Sequence, residues 1–191
     1  DLVLEDDSAI EFCAVDCKCY PEDISGVWRN SNTTGAMGVG PAQGNISWWS
    51  INDFELSRRA CQFDDTYTFV KDSSVQPNGG RFSQEMDNLT WLEGWASPDG
   101  QESCGDPTAL PNYPWDGLES GLSYIWNQPD EDGDASISLL GPGAHIGLPR
   151  VTNLGDAATD GPSDIVTYKL ATASFCEIKV DIQTNLEPVW W

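Results

Sequence analysis

Polar and apolar residues alternate along four short runs of the chain. Thr66-Tyr67-Thr68-Phe69-Val70 is the clearest, and Ala135–Leu140, Ile165–Leu170 and Glu177–Ile182 follow the same rule. A period of two sends successive side chains to opposite faces of an extended strand. Gly, Pro, Asn and Asp break the runs every few positions. With 18 Gly and 12 Pro, few windows are left that could hold three helical turns. The pattern predicts one all-β domain, an antiparallel β-sandwich of jelly-roll type. Long loops are expected over 94–122 and 152–163, the first pinned by a disulfide at Cys104.

Residues 1–23 read differently. Acidic Glu5-Asp6-Asp7 precedes an apolar stretch with Ile10 and Phe12, then Cys13, Cys17 and Cys19, then Pro21. This is a strand-like arm ahead of a domain body over 24–191. The arm either folds back on its own domain or is donated to a neighbour, and the pattern leaves both open.

Composition narrows the setting. Nine Lys+Arg against 31 Asp+Glu give a formal net charge of -22, which repels nucleic acid and anionic membrane. No apolar run is long enough to span a bilayer as a helix. The opening Asp1-Leu2-Val3 fits a processed start. Six cysteines, at 13, 17, 19, 61, 104 and 176, predict three disulfides and an oxidising, extracellular compartment. A zinc knuckle at Cys13, Cys17 and Cys19 lacks the paired Cys and His it would need, because the only histidine is His145. Cys17 and Cys19 are too close to favour pairing with each other, so the cluster is expected to reach Cys61, Cys104 and Cys176. Asn32, Asn45 and Asn88 each head an N-x-[ST] sequon and are candidate glycosylation sites.

Catalytic patterns are incomplete. Glu85-Met86-Asp87 resembles the start of a glucanase strand motif, but Asn88-Leu89-Thr90 follows where a third carboxylate belongs. His145 sits in a Gly/Pro loop, and no Gly-x-Ser-x-Gly elbow is present. Gly38-Val39-Gly40 lacks the rest of a nucleotide fingerprint. Asp130, Asp132 and Asp134 surround Gly133 as a weak calcium candidate without EF-hand spacing. An enzyme is therefore not expected, nor a cofactor beyond that possible Ca2+.

Five pieces stand out in order: Gly38-Val39-Gly40-Pro41, Ser47-Trp48-Trp49-Ser50, Cys61-Gln62-Phe63-Asp64-Asp65, Thr90-Trp91-Leu92-Glu93-Gly94-Trp95, and Gly141-Pro142-Gly143-Ala144-His145-Ile146-Gly147-Leu148-Pro149. In this order the chain resembles a family of secreted bacterial surface domains over about residues 26–191. The resemblance implies a secreted β domain with a structural or glycan-binding role. The opening Val27-Trp28-Arg29 and the cysteine arm depart from the family pattern.

Two functions follow. The first is a non-enzymatic structural glycoprotein that self-assembles head to tail into a fibre, with Ile10 and Phe12 of the arm buried in the next subunit. The second is a carbohydrate-binding module, in which Trp49, Trp95 and Trp115 are the candidates for stacking on a sugar ring. A glycan and further copies of the chain are the expected partners.

Overall fold

The computed structural model describes residues 2–4, 24–109, 115–116, 121–128, 135–156, 158, 161–173, 177–184 and 189–190. Among the described residues eight strands carry the architecture. They are β1 (Leu2–Leu4), β2 (Gly26–Asn30), β3 (Thr66–Lys71), β4 (Gly79–Glu85), β5 (Ser123–Asn127), β6 (Ser136–Leu140), β7 (Ile165–Ala173) and β8 (Glu177–Asp181). Each pairs antiparallel with the next in chain order. β8 then pairs with β1 and closes the ring.

The all-β, antiparallel class expected from the alternation is therefore present. The strands lie in one curled sheet closed by β1, however, and not in two sheets packed face to face. Period-two alternation is common to both arrangements, because each has one buried and one solvated face. The arm expected over 1–23 supplies the closing strand from Leu2–Leu4. Ile10, Phe12, Cys13, Cys17, Cys19, Cys176, Asp130, Asp132 and Asp134 lie outside the described residues.

Inward positions are large and apolar. Trp28, Tyr67, Phe69, Phe82, Tyr124, Trp126, Ile137, Leu139, Tyr168 and Ile178 are all buried. Phe69 sits 5.1 Å, centroid to centroid, from both Phe82 and Tyr124, the latter edge to face. Burying each such side chain contributes about 1.5–3 kcal/mol. Outward positions are mostly polar, as with Arg81, Ser83 and Glu85 of β4. That is the reverse of a transmembrane barrel, whose outer face is apolar. Among the described residues no helix is long and apolar enough to cross a membrane.

The barrel is not hollow. The Gly141–Pro149 loop turns into one end and places Ala144, His145 and Ile146 in the core. Gln84 of β4 holds it, donating to the Gly143 carbonyl at 3.2 Å and accepting from the His145 amide at 3.1 Å. Tyr168 Oη accepts from the Ile146 amide, and Tyr67 Oη from the Gly147 amide, both at 2.9 Å. The Gly-rich loop motif is thus a plug whose backbone groups are satisfied by inward side chains.

Among the described residues three two-stranded ribbons stand apart from the barrel sheet: 38–39 with 49–50, 90–92 with 103–105, and 151–152 with 155–156. Gly40 is required just after the first strand of the first ribbon, because a Cβ there would lie 1.6 Å from the Asn45 carbonyl oxygen. After this ribbon comes one helix, α1 (Asp53–Arg58). Asn52 caps it by accepting from the Phe54 and Glu55 amides. Cys61, in the 3-10 turn Ala60–Gln62, bonds to Cys104 with Cα atoms 6.0 Å apart. The sequence-based expectation tied both cysteines to the N-terminal cluster. The fold pairs them with each other instead, because the 90–105 ribbon runs beside that turn.

Candidate functional site

The disulfide brings together two segments that are far apart in sequence. Arg59 stands two residues before Cys61, and Glu102 two residues before Cys104. They meet in a cleft of about 280 Å³ lined by Val39, Trp48, Trp49, Arg59, Glu93, Glu102 and Leu148. The first ribbon supplies the two tryptophans, and the end of α1 leads into Arg59. The second ribbon supplies the two glutamates, and the plug loop supplies Leu148.

Arg59 is the centre of the site and only 6% exposed. Its guanidinium carbon lies 5.3 Å from the Trp49 ring centre and 4.5 Å from that of Trp91. Stacking of this kind holds a planar cation in place. Nε donates to Glu55 at 2.8 Å, and Nη2 is 3.9 Å from Glu102. Nη1 has no hydrogen-bond partner although it is buried. The hydrogen bond from Arg59, with the charges of Arg59 and Arg58, holds the Glu55 carboxyl below its usual range against the opposing effect of burial.

Two carboxyls face this cation. Glu102 is more exposed and accepts from Arg58 at 3.2 Å. Glu93 is buried, accepts from Trp95 Nε1 at 3.1 Å and lies 3.7 Å from Arg150. Burial pushes its carboxyl up, while Trp95, Arg150 and Arg59 oppose that shift. The cleft thus offers a hydrogen-bond donor, acceptors and an indole, since Trp48 is 58% exposed. Behind Trp49, an apolar cavity of about 90 Å³ against Tyr168 and Ile182 is far below the roughly 300 Å³ at which ligand pockets begin.

Of the sequence-predicted stacking residues, Trp49 lines this cleft. Trp95 is half-buried and packs edge to face on Trp115 at 5.2 Å. Trp115 is itself buried beside Leu92, so it presents no open face for a sugar. Trp48, which the alternation did not single out, is the exposed one. Asn32, Asn45 and Asn88 are all exposed. Glu85 ends β4, and Asp87 adopts a left-handed φ of 42°, so the two do not share a strand face. His145 is fully built into the core, where burial lowers its pKa to about 4. Among the described residues no group of His, Cys, Asp and Glu is arranged to hold a metal ion.

Arg59 and Glu102 were missed because their meeting depends on a cysteine pairing that spacing does not reveal. No protein-family profile, no curated protein and no solved structure matches this chain.

Proposed function

We propose that the protein is an extracellular, non-enzymatic structural glycoprotein whose copies join head to tail by exchanging β1. The observation that carries this reading is the seam of the barrel. β1 is only three residues long and pairs on both sides, with β2 through Leu2–Leu4 and with β8 through Leu2 and Val3. Without it the other seven strands form an open curl with unpaired backbone along β2 and β8. Residues 5–23 separate β1 from the body and reach up to about 60 Å when extended. A strand from a neighbour makes the same backbone bonds as the chain's own, so exchange costs little. Donation from one copy to the next is a head-to-tail contact, which builds a filament where the rotation between copies does not close a ring. The disulfide and the exposed sequons fit secretion and a coat of glycans.

Light scattering of the intact chain over rising concentration, with negative-stain imaging, tests the proposal. Growth into filaments is expected, together with loss of growth when residues 1–4 are deleted. An intact chain that stays monomeric throughout, or a deletion that polymerises equally well, would overturn it.

A further inference from the structure

We propose that the Arg59 cleft binds a neutral pyranose unit of a glycan. This site is independent of strand exchange and uses none of β1. Three observations carry it. First, Arg59 is a buried cation with a hydrogen-bond donor left over. Nε is used by Glu55, and Nη2 stands 3.9 Å from Glu102, beyond hydrogen-bond distance. A ligand hydroxyl entering beside Nη2 accepts from it and donates to Glu102, bridging the two. Second, the open indole of Trp48 stands at the same cleft. Alkyl C–H groups on one side of a pyranose pack on such a ring. Third, the opposite wall carries Glu93 and Glu102, which accept hydroxyl protons.

The chemistry also selects the ligand class. The chain's net charge of -22 repels an acidic sugar, so a uronate or sialate is disfavoured. An apolar ligand would cover the polar heads of Arg59 and Glu102 without replacing the bonds they make to water. A neutral sugar answers donor, acceptor and indole together. The cleft volume of about 280 Å³ sits at the lower edge of the range for ligand pockets, roughly 300–1,000 Å³. It suits one ring, or the end of a chain, more than a long stretch.

The intact protein is titrated with neutral gluco-, manno- and galacto-disaccharides and with glucuronate, followed by indole fluorescence and saturation-transfer NMR. Saturable binding of at least one neutral disaccharide is expected, and none of glucuronate. Trp48→Ala and Glu102→Gln, both at exposed positions, are each expected to weaken it about tenfold, or about 1.4 kcal/mol. Their thermal midpoints should match the parent. Three results would overturn the proposal. They are no saturation by any neutral disaccharide, binding that survives both substitutions, or a Trp48→Ala protein that loses self-association but keeps its sugar affinity.

Discussion

Asp65 is a carboxyl group with 1% of its surface exposed. Thr90 Oγ1 donates to one of its oxygens at 2.6 Å, and the other has no partner. Burial, reinforced by Asp64 and Asp87, raises its pKa from 3.8 to about 8 despite the Thr90 bond. Between those values the folded chain keeps a proton that the unfolded chain releases, so stability falls as pH rises. The slope is about 1.4 kcal/mol per pH unit. His145 acts in the opposite sense. Its pKa drops from 6.5 to about 4, so between those values the unfolded chain binds the extra proton and stability climbs with pH. The two slopes offset each other from about pH 4 to 6.5, and of this pair Asp65 alone acts from there to about pH 8. Asp65→Asn is expected to abolish the decline above pH 6.5 and expose the His145 rise below it. Urea midpoints across pH 4–8 check this, and a variant that declines in parallel with the parent refutes it. The inward place of Asp65 was legible in sequence, since it lies in phase with Tyr67 and Phe69. Its role as a buried acid was not, because Thr90 comes from a separate ribbon.

At the level of elements, the four alternating runs became β3, β6, β7 and β8 with ends within a few residues. β4 escaped because it opens with Gly79-Gly80 and carries Gln84 inward, where the pattern expects an apolar side chain. Gln84 faces in because the plug loop needs its amide, which is a tertiary demand with no local signature. α1 is short, and its Asn52 cap is a signal too weak to stand alone. The Cys61–Cys104 bond encloses a loop with a sequence separation of 43, worth about 4 kcal/mol from chain entropy. Replacing both cysteines with serine is expected to lower the unfolding free energy by about that amount. The Arg59–Trp91 stack should also loosen, to be read as a red-shifted indole emission in the native state. A double variant as stable as the parent would mean that the ribbon and α1 hold each other without the bond.

For the molecule as a whole, closure rests on the shortest stave. Val3→Pro removes a backbone donor from the middle of β1, where a ladder strand tolerates none. Amide exchange should then quicken along β2 and β8 while β4, β5 and β6 keep their protection. Uniform quickening around the ring would show that β1 is integral to the whole fold and not a detachable closure. The ring was not legible in sequence because Leu2-Val3-Leu4 is too brief for a period to register. The cleft was legible only as tryptophan content, without its arginine.

The seam also gives the barrel a direction of weakness under load. A pull on the first residues acts on three paired positions along β2 and two along β8. Three of the six other contacts, β3–β4, β5–β6 and β6–β7, share five or six pairings, and the plug braces the ring from inside. Tension therefore releases β1 first, leaves a seven-stranded shell intact, and lets the strand return when the force ends. The joint behaves as a reversible fastener whose failure spares the part it fastens.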